Sequence, residues 1–135
     1  MPYGKYLHVG GDEITAIGID DRCKATGKTA FELQMIWLKN VCQFAVDHGR
    51  IPIFWDDMPL KYAGIWELAL SDKSEEEVVK VWNTDKLDEA IGLFPKECVY
   101  MRWKYEDATT PAHRRLLEWY HDKGLKVMGA TAASA

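Results

Sequence analysis

The chain has 135 residues, 47% of them hydrophobic, which suits one domain with a real core. A closed (β/α)₈ barrel takes roughly 250 residues, so the chain is too short to form one. The net charge of −4, with no lysine or arginine run, argues against nucleic acid and anionic membrane as partners. The longest apolar stretch, residues 33–46, is broken by Lys39, Asn40 and Gln43 and is not a bilayer span.

The first strand is expected at about Lys5–Gly11, with Tyr6, Leu7 and Val9 packed. It breaks at Gly10-Gly11, where glycine permits a sharp turn and close approach to a ligand, and it releases the adjacent carboxylates Asp12 and Glu13. After a polar loop comes a long helix over about Thr29–His48. Its stripe of Phe31, Met35, Leu38, Cys42 and Ala45 recurs at spacings of four and three, and Gly49 stands where a C-terminal cap glycine would. A second strand, Ile51–Trp55, ends in Asp56 and Asp57, and a partly helical stretch follows over Met58–Leu70.

The run Val78-Val-Lys-Val-Trp82 reads as a third strand, followed by a short helix opened by Thr84 or Asp85. A fourth strand is expected at about Cys98–Trp103. Pro111 sits in the first turn of the next helix, whose apolar face is Leu116, Leu117 and Tyr120. A fifth strand at Leu125–Gly129 and a small-residue tail from Thr131 to Ala135 complete the chain. Strands alternating with helices imply an α/β fold with a parallel sheet and outer helices. A five-stranded doubly wound sheet and a partial (β/α)₈ TIM barrel both satisfy this pattern. Of the three cysteines, Cys42 and Cys98 fall in apolar segments as core residues, and none has metal-ligand spacing.

Polar and aromatic residues gather at the strand ends: Asp12 and Glu13 after the first, Trp55, Asp56 and Asp57 at the second, Trp82 and Asn83 at the third, Tyr105 and Asp107 after the fourth. In a parallel sheet these ends share one edge, where such folds place their chemistry. Paired carboxylates beside aromatic walls suit glycoside chemistry, in which one group protonates the departing oxygen and another stabilises positive charge on the sugar. Carboxylates adjacent in sequence are poorly placed to act on opposite faces of a sugar, so a different nucleophile is required. A metal site built from Asp12, Glu13, Asp56 and Asp57 is the weaker alternative, because no histidine but His8 lies near that edge.

The hexapeptide His8-Val-Gly10-Gly11-Asp12-Glu13 resembles the motif of glycoside hydrolase family 20, the β-N-acetylhexosaminidases. The likeness continues through Trp55-Asp56-Asp57, Trp82 and Tyr105-Glu-Asp107. It implies a partial TIM barrel of about five parallel strands, the fourth to the eighth, forming a single partial catalytic domain over residues 1–135. It further implies retaining, substrate-assisted hydrolysis of terminal β-linked N-acetylhexosamine from glycans, without a cofactor or metal. Asp12 would orient the 2-acetamido N–H, Glu13 would serve as general acid and then base, and Tyr105 would donate a hydrogen bond to the acetamido oxygen. Trp55 and Trp82 would wall the pocket, and Asp107 would bind a sugar hydroxyl. The family's sugar-gripping arginine and its Trp-x-Glu have no counterpart here, so the chain reads as a fragment whose open sheet edges would permit self-association. A carbohydrate-binding relic that has lost turnover is the alternative. The opening Met-Pro-Tyr-Gly-Lys is not a secretory signal, and the sequence fixes no compartment.

Overall fold

The computed structural model describes residues 4–132; the opening Met-Pro-Tyr and the last three residues of the small-residue tail lie outside the described residues. Strand β1 (Tyr6–His8) is followed by helices α1 (Asp21–Ala25) and α2 (Ala30–Asp47), then β2 (Ile51–Trp55). Four helices come next: α3 (Asp57–Tyr62), α4 (Trp66–Leu70), α5 (Glu75–Val81) and α6 (Asp85–Ile91). Strand β3 (Val99–Trp103), helix α7 (Pro111–Asp122) and β4 (Lys126–Ala130) complete the order.

All strand pairs are parallel, and the sheet runs in chain order, β1-β2-β3-β4. A doubly wound sheet needs a point at which the order reverses. None occurs among the described strands, so the doubly wound alternative is set aside. The core lies between the sheet and the helices. Leu38 and Cys42 of α2, Phe54 of β2, Leu60 of α3, Leu87 of α6, Tyr100 of β3 and Leu116 and Tyr120 of α7 meet there.

Helix α2 forms where its spacing predicts. Thr29 and Glu32 cap its N-terminus reciprocally, and Gly49 leaves it at φ 69°. Met35, Leu38, Cys42 and Ala45 are buried, whereas Phe31 is exposed and Gln34 is buried in its place. In α7, Leu116 and Tyr120 are buried, but Leu117 faces out, and Ala112, His113 and Trp119 fill the inner face.

Two expectations are corrected. Tyr6 and Leu7 are exposed rather than packed, because among the described residues β1 is an edge strand with β2 as its single neighbour; of the three, Val9 reaches the core. The expected strand at Val78–Trp82 is helix α5, so among the described residues the sheet has four strands where five were expected. Ser74 and Glu77 form a capping box, and three glutamates occupy the first turn, where the helix dipole favours negative charge. The sheet leaves no place for an extra strand here, since β2 pairs directly with β3 through Ile53–Val99, Phe54–Tyr100 and Trp55–Met101. Local capping therefore overrides the β-branched composition, burying Val78 and leaving Val79 and Val81 exposed.

Candidate active site

The carboxylate pair hangs on a loop stitched to its surroundings by backbone bonds. Val9 N–H donates to Ile53 O at 2.8 Å, and Trp55 N–H donates to Gly10 O at 3.2 Å, tying the loop to β2. Gln34 Nε2, buried on α2, donates to Gly11 O at 3.3 Å. Gly10 and Gly11 have φ of 73° and 95°, a region that side chains rarely adopt. A Cβ on Gly11 would also sit 3.2 Å from Leu38 Cδ1. The glycine pair is thus needed both for the turn and for seating the loop on α2.

Five residues line one hollow of about 180 Å³: Asp12, Glu13, Trp55, Trp103 and Tyr105. They come from the loop after β1, the end of β2, the end of β3 and the segment beyond it, which lie side by side because the strands are parallel. Ring pairs flank the hollow on two sides. Trp103 lies against Tyr105 at 5.3 Å between centroids and 32° between planes, and Trp66 supports Trp103 from behind at 4.9 Å. On the other side, the His8 ring meets Trp55 at 5.0 Å. His8 Nδ1 accepts from Gly10 N–H at 3.0 Å, so the imidazole braces the turn; burial lowers its pKa against the pull of Asp12.

Of the residues expected from sequence, Asp12, Glu13, Trp55 and Tyr105 meet, whereas Trp82 and Asp107 do not join them. Trp82 ends α5 in the helical layer, beneath the Arg115 guanidinium of α7, which stands 5.7 Å from its ring. Asp107 turns back on its own loop and accepts from Thr109 N–H and Oγ1, both at 2.7 Å; those bonds hold its carboxyl below the ordinary value. The second tryptophan wall is supplied by Trp103. The sequence carried a signal for it: Trp55 and Trp103 both occupy the last position of a strand.

The two acids ending β2 have different surroundings. Asp56 is fully buried, with Oδ1 3.4 Å from Arg102 Nη1 and Oδ2 accepting from Tyr120 O–H at 2.9 Å. Burial raises its pKa to about 6 despite the arginine. Asp57 is also fully buried, and its Oδ2 accepts from Glu13 N–H at 3.1 Å and from Lys61 Nζ at 3.0 Å. Among the described residues, no group of three or more His, Cys, Asp or Glu side chains is arranged to hold a metal ion, and no helix is long and apolar enough to cross a membrane. A larger hollow of about 440 Å³ lies elsewhere, lined in part by Ile65, Val81, Asn83 and Lys86. It has neither paired acids nor an aromatic wall.

The model of the glycosyl hydrolase family 20 catalytic domain matches residues 1–113. The chain belongs to that family. Family 20 membership makes this a glycoside hydrolase domain, of a family that acts on hexosamine-containing glycans. The matched span contains all five residues of the hollow. A search of curated proteins found no match to the chain.

Proposed function

We propose that the hollow is the reacting centre of a retaining, substrate-assisted β-N-acetylhexosaminidase, and that the four-stranded sheet is a segment of a (β/α)₈ barrel. The observation that carries this reading is the meeting of adjacent acids, two tryptophans and a tyrosine in one hollow at a shared sheet edge. Its volume is below the roughly 300–1,000 Å³ of ordinary ligand sites, so it takes the reacting end of a sugar and leaves the rest of the glycan outside.

Two acids on consecutive residues share one side of a bound sugar. An enzyme nucleophile and a separate acid would have to flank the scissile bond. The nucleophile in this reading is therefore the substrate's own 2-acetamido oxygen, which attacks the anomeric carbon as the glycosidic bond breaks. Glu13 gives its proton to the departing oxygen and then takes one from the water that opens the cyclic intermediate. Asp12 holds the acetamido N–H and balances the positive charge that develops there. The Tyr105 hydroxyl, on a half-exposed ring, donates to the acetamido oxygen and aligns it for attack. Trp55 and Trp103 present apolar faces to the acetamido methyl and the ring.

Incubating the chain with an aryl β-N-acetylglucosaminide tests this, with the first-formed anomer read by NMR. Release of the β-anomer, lost by about 10²–10⁴-fold in Glu13→Gln, is the expected result for a general acid. Tryptophan quenching by N-acetylglucosamine without turnover would instead identify a carbohydrate-binding relic. Equal turnover by Glu13→Gln would remove Glu13 from its role.

A further inference from the structure

Glu13 has φ 48° and is the single non-glycine residue with positive φ among the described residues. An L side chain is disfavoured there, and such a conformation persists only where its surroundings impose it. The imposing contact comes from 44 positions away: Asp57 Oδ2 accepts the Glu13 backbone N–H at 3.1 Å. Asp57 is fully buried at the first position of α3, yet it does not line the hollow. Its own charge is answered by Lys61 Nζ, one helical turn on at 3.0 Å. That ammonium also lies over the Trp66 ring, 5.2 Å from its centroid.

Asp56 completes an internal ion pair, bound to Arg102 and Tyr120. Asp57 pairs with Lys61 inside α3 and also reaches out of its helix to the loop after β1. Asp57 Oδ1 has no hydrogen-bond partner among the described residues, and its other oxygen is shared between Lys61 and the loop that carries the acids. A half-satisfied buried carboxylate is costly, which points to a task outside helix stability.

We propose that Asp57, clamped by Lys61, is a positioning residue for Glu13: it holds the acid's backbone amide in the left-handed turn and so delivers the Glu13 carboxyl to the hollow. This rests on the reading of Glu13 as general acid, and it adds a residue that acts through the acid without touching substrate. Displacement of a reacting group by about 1 Å costs roughly 10²-fold in rate, so the loss on removing Asp57 falls on kcat.

The experiment compares Asp57→Ala and Asp57→Asn in the whole chain. It reads hydrogen exchange at the Glu13 amide by NMR and the kcat and KM of aryl N-acetylglucosaminide hydrolysis. Asp57→Ala should speed Glu13 exchange by about tenfold or more, the loss expected for a hydrogen bond to a charged group, and lower kcat by roughly 10²-fold with KM little changed. Asp57→Asn keeps an oxygen acceptor and should recover most of kcat. Should Asp57→Ala fail to fold, Asp57→Asn and Lys61→Met supply the same comparison, with slower exchange in the former. Unchanged Glu13 exchange, a loss confined to KM, or no recovery in Asp57→Asn would each overturn the proposal. Absence of turnover in the unaltered chain would count against the hydrolase reading, and Glu13 exchange would then decide the hold of Asp57 by itself.

Discussion

Asp56 makes the stability of this chain depend on pH in a direction opposite to that of a salt-bridged surface acid. Its carboxyl is fully buried between Arg102 and Tyr120, and desolvation outweighs the arginine to raise its pKa from 3.8 to about 6. A group with a raised folded pKa contributes stability that is present in full below its unfolded value and lost as pH rises through the folded value. Between about pH 4 and 6 the folded chain holds a proton at Asp56 that the unfolded chain has released. Stability from this group therefore falls as pH rises, by at most about 1.4 kcal/mol per pH unit and on the order of 3 kcal/mol across the window. His113 runs the other way. Burial, with Arg102 and Lys104 nearby, lowers its pKa to about 4, so its contribution is lost as pH falls below about 6.5. The total curve mixes the two, and the informative quantity is a difference. Urea unfolding followed by tryptophan fluorescence, at several pH values from 4.5 to 7.5, should show the original chain losing stability relative to Asp56→Asn as pH rises, while His113 stays common to both. Parallel curves, or a difference of opposite sign, would mean that Arg102 and not burial governs Asp56, and the reasoning would fail.

Trp103→Ala should abolish most of the fluorescence response to N-acetylglucosamine, whereas Trp82→Ala should keep it; the reverse pattern would return the pocket wall to Trp82. Ser74→Ala should cost about 1 kcal/mol and reduce far-ultraviolet helicity, as loss of a capping box does; a strand over residues 78–82 would leave both unchanged. Asp12→Asn should slow N-acetyl substrates, which depend on acetamido participation, far more than analogues whose acyl group is already activated. Equal losses would speak against its orienting role.

Periodicity located the long helix almost to the residue, because a buried stripe and a capping box at Thr29 and Glu32 agree with one another. It failed at Val78–Trp82, where β-branched composition and helix capping disagree and the direct pairing of β2 with β3 decides. In the hexapeptide at residues 8–13 the glycine turn was legible from sequence, since Gly10 and Gly11 take positive φ, whereas the roles expected of Asp12 and Glu13 came from the family resemblance. The tryptophan wall was legible only as far as the strand ends were: the misplaced strand carried Trp82 with it, while Trp103, at the end of a strand placed correctly, was passed over.

Sequence alone determined which ionisable side chains the chain carries, where the long helix α2 runs and which turn only glycine can make, for these depend on residues a few positions apart. Tertiary structure decided which strand ends stand together, that Asp57 reaches Glu13, and that Asp56 lies dry between Arg102 and Tyr120. Those contacts join residues 44 to 64 positions apart, and strand order in the sheet, which no local pattern encodes, brings them within hydrogen-bond reach.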